Sequence, residues 1–199
     1  MVGRLGIAVL FLGLVACSSE QPPVNEEVAA IERGQVSYEL YCALCHGALG
    51  QGYVSPKANA LTNEDFLISS TDEFLFVGIE QGRTETKMSS YGRDYLGPMN
   101  DEEIHELIAY LRSYQTEDTL NLDESWQALG DVDNGAILYA SQCAGCHGAD
   151  LKGNSALSLN NPVFLRTASD AFLRYALEKG RRGTAMPAFE SQLSAQEIE

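Results

Sequence analysis

An unbroken apolar stretch runs from Leu5 to Ala16, with Arg4 as the only charge before it. It is too short to span a bilayer and has the layout of an export signal over residues 1–16. Ser18 to Glu27 then read S-S-E-Q-P-P-V-N-E-E, with almost no apolar position. That composition predicts a tether reaching at most about 33 Å. Beyond it, apolar residues return at helical spacing. Ile104, Leu107, Ile108 and Leu111 share one helix face, behind Asn100-Asp-Glu-Glu103, a cap with a glutamate three residues on. Thr71 and Ser169, each followed by an acidic residue, start two further helices. A stretch able to form a helix also precedes each of two cysteine pairs. No alternating strand pattern occurs, so the fold class is all-α.

The helical pattern is written twice. Gly34, Tyr38, Cys42, Cys45, His46 and Gly47 recur as Gly135, Tyr139, Cys143, Cys146, His147 and Gly148, an offset of 101 residues. After a three-residue deletion in the second copy the offset becomes 98. Asp72, Phe74 and Leu75 then match Asp170, Phe172 and Leu173, and Gly82, Arg83 and Met88 match Gly180, Arg181 and Met186. The chain therefore divides into a first module over 28–114, an acidic linker over 115–127 and a second module over 128–199. Ser194-Ala-Gln-Glu197 repeats the capping box, and the sequence stops at Glu199. The helix matching Asp101–Tyr114 is accordingly expected to be missing, leaving the second module truncated and part of its apolar surface exposed.

Charge narrows the partners. The chain has 28 acidic and 13 basic residues, a formal −15. Nucleic acid is excluded, because phosphates require a basic surface. A basic protein partner is favoured, because opposite charge speeds encounter.

The chemistry sits in Cys42-Ala-Leu-Cys45-His46 and Cys143-Ala-Gly-Cys146-His147. Both are C-x-x-C-H, the c-type haem attachment pattern. Two thiols one helical turn apart reach the two vinyl groups on one side of a porphyrin, and the next residue offers an imidazole to the iron. A disulfide within each pair does not explain a histidine after both. A four-cysteine zinc site normally has its pairs about 15–20 residues apart, whereas Cys45 and Cys146 are far more distant. The fifth cysteine, Cys17, ends Leu14-Val15-Ala16-Cys17, which resembles a bacterial lipobox and implies lipidation at Cys17.

With these motifs on a shared repeat frame, the chain resembles class I cytochromes c of the two-domain dihaem type. The resemblance implies two tandem all-α domains, each wrapped around one covalently bound haem c with its iron. It implies His46 and His147 as axial ligands and methionines on the opposite faces. Met186, in Gly-Thr-Ala-Met-Pro, is similar to the family's axial segment. In the first module the repeat favours Met88 over Met99: Met88 follows Gly82 as Met186 follows Gly180, and Met99 leaves too little chain before Ile104. Pro56 is a candidate to orient His46 through its carbonyl. Arg83 and Arg181 are candidates for haem propionates. Gly34 and Gly135 are expected where first and last helices cross, Tyr38 and Tyr139 as packing residues, and His105 as exposed.

Histidine plus methionine fills all six iron positions and raises the potential. This points to one-electron transfer between a redox donor and acceptor, the partner surface being basic. It leaves a haem subunit of a dehydrogenase or oxidase complex as the alternative, beside a dihaem sulfur-anion dehydrogenase or peroxidase. The export signal and Cys17 imply an extracytoplasmic, periplasmic site, lipid-anchored to a bacterial membrane.

Overall fold

The computed structural model describes residues 25–199. The export segment, Cys17 and most of the tether lie outside them. Helix α1 spans Glu26–Tyr41, so two residues assigned to the tether belong to the first module. The cause is local: the Asn25 side chain accepts from the Glu27 N–H, and Glu26 and Glu27 favour the positive end of the helix.

The first module continues with α2 (Ala43–His46), α3 (Glu64–Ser69), α4 (Asp72–Glu80), a 3-10 turn (Arg93–Tyr95) and α5 (Asp101–Arg112). Thr71 caps α4 by accepting from the Phe74 N–H, and Asn100 with Glu103 forms a reciprocal capping box on α5. Ile104, Leu107, Ile108 and Leu111 are all buried against α1 and α4. Each such side chain contributes roughly 1.5–3 kcal/mol by leaving water. Helices α1 and α5 meet at Gly34, where a Cβ would overlap the Glu106 carbonyl. Only glycine permits that approach.

The second module repeats the plan. Helix α6 spans Val132–Leu138 and runs into a π-helical turn, Tyr139–Cys143. Then come α7 (Ala144–His147), α8 (Pro162–Thr167), α9 (Asp170–Lys179) and α10 (Ala195–Ile198). Ser169 caps α9, and Ser194 with Glu197 caps α10. The expected crossing at Gly135 is not seen among the described residues. No atom lies within 4 Å of a Cβ built there, and Val132 and Ile137 are exposed. No strand forms among the described residues, only one isolated bridge between Gly92 and Met99. Nor is any described helix long and apolar enough to cross a membrane. The linker lies along the modules. The Glu64 carboxylate accepts from the N–H groups of Thr116 and Glu117, Leu120 N–H bonds to the Ile68 carbonyl, and Arg174 stacks on Trp126.

The modules pack face to face about a pseudo-twofold axis. Helix α3 lies on α9, and α4 lies on α8. Phe66 meets Phe172 edge-on at 6.5 Å, and Phe164 meets Phe74 at 6.2 Å. Phe74 and Phe172, equivalent under the repeat, face each other across the axis at 4.9 Å. Asn63 Nδ2 donates to the Arg182 carbonyl and Asn161 Nδ2 to the Thr84 carbonyl, each at 2.8 Å. The same asparagines cap α3 and α8 through Oδ1. Several contacts break the symmetry, and one of them is buried. The buried Asp65 carboxylate accepts from Arg182 N–H at 2.6 Å and Nε at 2.8 Å. Its repeat equivalent is Val163, which has no such partner.

Candidate functional site

Each cysteine motif occupies a break between two helices. At the end of α1, Cys42 N–H bonds to the Tyr38 carbonyl. The Cys42 carbonyl then accepts from Cys45 N–H at 3.1 Å and His46 N–H at 2.9 Å. This winds two sulfurs and one imidazole onto a single turn. Gly47 and Gly148 end the turns at φ 86° and 81°, a conformation that favours glycine. The Tyr38 hydroxyl donates to the Gly47 carbonyl and the Tyr139 hydroxyl to the Gly148 carbonyl, each at 2.6 Å. The two tyrosines therefore do more than pack: they fix the residue that follows each histidine.

His46 Nδ1 lies 2.8 Å from the Asn59 carbonyl, and His147 Nδ1 lies 3.0 Å from that of Leu157. An Nδ1–H donating to a carbonyl leaves Nε2 as the free ligand atom. This corrects the expectation for Pro56. The loop path selects the acceptor, and a backbone carbonyl carries no mark of its side chain. The repeat holds the signal, since Asn59 and Leu157 are equivalent at the 98-residue offset. Both histidines are buried, and burial lowers the pKa of His46, favouring the neutral imidazole a metal requires.

Cys42, Cys45, Cys143 and Cys146 are all free thiols. Burial pushes the Cys42 thiol up to about 12 and raises that of Cys143. A thiol redox pair needs the opposite shift, toward thiolate. Among the described residues no three His, Cys, Asp or Glu side chains gather as a metal cage, which counts against the four-cysteine zinc arrangement.

Met88 and Met186 sit on loops of the same construction. Arg83 N–H bonds to the Met88 carbonyl at 2.8 Å, and Arg181 N–H to the Met186 carbonyl at 3.0 Å. Thr86 and Thr184 donate to the arginine carbonyls and accept from the methionine N–H groups at 3.1 Å. Both methionine side chains are half-buried. Met99 is different. It is 2 % exposed inside the core cluster with Leu107 and Leu111, and its backbone is bridged to Gly92. His105 is exposed, its ring 5.0 Å from that of Phe76.

Comparison with known proteins bears on the family. Residues 31–115 match the family model described as cytochrome c. Residues 130–199 match the model described as cytochrome c oxidase, cbb3-type, subunit III. The chain is a c-type cytochrome. The cytochrome is 28% identical over 171 residues to the cbb3-type cytochrome c oxidase subunit FixP of Bradyrhizobium sp. strain ORS 278, covering 81% of this chain and 55% of that protein. It is 25% identical over 199 residues to subunit CcoP of Azospirillum brasilense, covering 90% and 63%. It thus spans little more than half the length of these relatives. Among solved structures, a chain of the Kuenenia stuttgartiensis reducing HAO-like protein complex aligns at a TM-score of 0.48 and 22% identity, covering 84% of this chain and 91% of that one. The cytochrome's cofactors are two covalently bound haem c groups, one per C-x-x-C-H motif. The fit is in the donor sets: two unpaired thiols and a histidine with a free Nε2 in each module.

Proposed function

We propose that this cytochrome passes electrons singly between redox proteins outside the cytoplasmic membrane, tethered there by a lipid on Cys17. The observation that carries the reading is the doubled site: in each module a backbone-oriented histidine and a methionine loop of identical hydrogen bonding. Cys42, Cys45, Cys143 and Cys146 would attach the haems, with His46 and Met88 holding one iron and His147 and Met186 the other. Bound haem supplies the one-electron couple. The chain's own groups fix the imidazoles and close the methionine loops. Six filled positions leave no site for a substrate, which supports a carrier over a peroxidase or a sulfur-anion dehydrogenase. The export segment and the cysteine after it support the location.

The relatives FixP and CcoP, named as cbb3 oxidase subunits, favour a second form of the same reading, in which the acceptor is an oxidase complex. A formal charge of −15 argues for a basic docking surface on the partner.

Stopped-flow oxidation of the reduced holoprotein by a basic redox protein tests this. The expected result is a second-order rate that falls as salt rises and no carbon monoxide binding at neutral pH. A rate independent of ionic strength would sink the basic partner. Rapid carbon monoxide binding would overturn the carrier in favour of an enzyme.

A further inference from the structure

The loops that carry Met88 and Met186 are closed from inside by their own backbone and held from outside by the opposite module. In each loop a tight turn leads to the methionine. Thr86 N–H bonds to the Arg83 carbonyl and Thr184 N–H to the Arg181 carbonyl, each at 3.0 Å. The carbonyl of the turn's second residue, Thr84 or Arg182, points out of the loop. It accepts from an asparagine of the other module, Asn161 Nδ2 for Thr84 and Asn63 Nδ2 for Arg182, both at 2.8 Å. Thr84 and Arg182 are equivalent at the 98-residue offset, as are Asn63 and Asn161. The crossing bond is therefore made twice, once in each direction.

The turn's third residue decides how much that bond must hold. It has positive φ in both loops, the sign pattern of a type II turn. The second module places Gly183 there at φ 78°, without steric cost. The first module places Glu85 there at φ 62°, in the left-handed region that a side chain disfavours. The Met88 turn is thus strained, and such a conformation persists only where its surroundings fix it. Support from outside is uneven in the same sense. Arg182 is gripped further by the buried Asp65 carboxylate, at its N–H and its Nε. Val163, at the matching place for Thr84, has a side chain that can accept nothing. Lys152 reaches Glu85 only at 3.8 Å and in solvent, a pair that adds little. Asn161 is 2 % exposed, so its bond to Thr84 forms away from competing water.

We propose, on the reading of Met88 and Met186 as iron ligands, that each methionine is positioned by the other module. Asn161 fixes the Met88 loop, and Asn63 with Asp65 fixes the Met186 loop. The Met88 loop, strained and singly held, yields its methionine more readily than the Met186 loop. Both asparagines are positioning residues, and the docking of the modules completes both ligand sets.

Imidazole titration of the ferric holoprotein, followed by the methionine-to-iron absorption bands, tests this. Holoprotein carrying Met88→Ala supplies the curve of the Met186 band alone. The parent should lose the Met88 band at the lower imidazole concentration. Asn161→Ser keeps a cap on α8 through its hydroxyl but cannot span to Thr84. It should lower the imidazole midpoint of the Met88 band by about tenfold, the worth of one hydrogen bond, and leave the Met186 band of its own module in place. Asn63→Ser should shift only the Met186 band, and by less, since Asp65 remains. Asn161→Asp has the same size and the same capping oxygen without the donor. It guards against misfolding of the serine form and should act in the same direction. Hydrogen exchange over residues 82–88 should quicken in both Asn161 variants at unchanged haem content. A shift confined to the band of the variant's own module, unshifted bands in both Asn161 variants, or a parent that loses the Met186 band first would overturn the assignment. A parent without methionine bands would overturn the ligand reading itself.

Discussion

Two methionines in the first module are separated by eleven positions and by opposite surroundings. Met88 is half-buried on a loop whose hydrogen bonds reproduce those around Met186. Met99 is enclosed by the core and pinned by Tyr91 and Arg93, which supports Met88 as the proposed ligand. Met88→Ala should therefore abolish the methionine-to-iron absorption band of one haem and leave the fold intact. Met99→Ala should keep both bands and lower stability by about 2–5 kcal/mol, the usual range for emptying a buried methionine site. Absorption spectra with denaturant titrations of both variants decide this, and loss of a band in the Met99 variant would reverse the assignment. Other single residues carry two duties at once. Asn63 and Asn161 cap a helix with the oxygen and bridge the modules with the nitrogen, for which aspartate lacks the donor and serine the reach.

At the level of elements, what was legible in the sequence was what is local. Caps at Thr71 and Ser169 form where a hydroxyl precedes an acidic residue, and those at Asn100 and Ser194 form where a glutamate stands three on. The six-residue helices α3 and α8 were not legible, being too short for an apolar period to emerge. Nor was the acceptor for either histidine, since backbone carbonyls look alike in sequence. The glycines expected at helix crossings divide the same way. Gly34 is where α1 and α5 touch, whereas nothing described approaches Gly135. Gly34→Ala should force the helices apart at about 1–3 kcal/mol. Urea unfolding of the holoprotein variant measures this, and unchanged stability would refute the close approach at Gly34.

For the whole molecule, the sequence repeat predicts two modules but not their mutual arrangement, because the residues that join them lie 98 or more positions apart and none looks unusual by itself. The seam is apolar at its centre. Phe66, Phe74, Phe164 and Phe172 meet there as one aromatic cluster, continuous with the core beneath α5. Mirrored asparagine bonds and the buried Asp65 carboxylate flank it. Much of the second module's buried apolar surface belongs to this seam: Phe164, Ala168 and Phe172 join the first module's cluster. The second module therefore depends on the first more than the reverse. Calorimetry of the holoprotein should give a single cooperative transition. Phe172→Ala removes one of the two rings that face each other across the pseudo-twofold axis, which should cost about 3–5 kcal/mol. It should also split the transition, with the second module melting first. Two resolved transitions in the parent protein would mean that the modules are independent bodies. A single transition retained in the variant would mean that coupling runs through the Asp65–Arg182 bridge and the asparagines instead. Retention of both methionine bands at temperatures below the first transition would fix the effect on the seam rather than on the haem ligands.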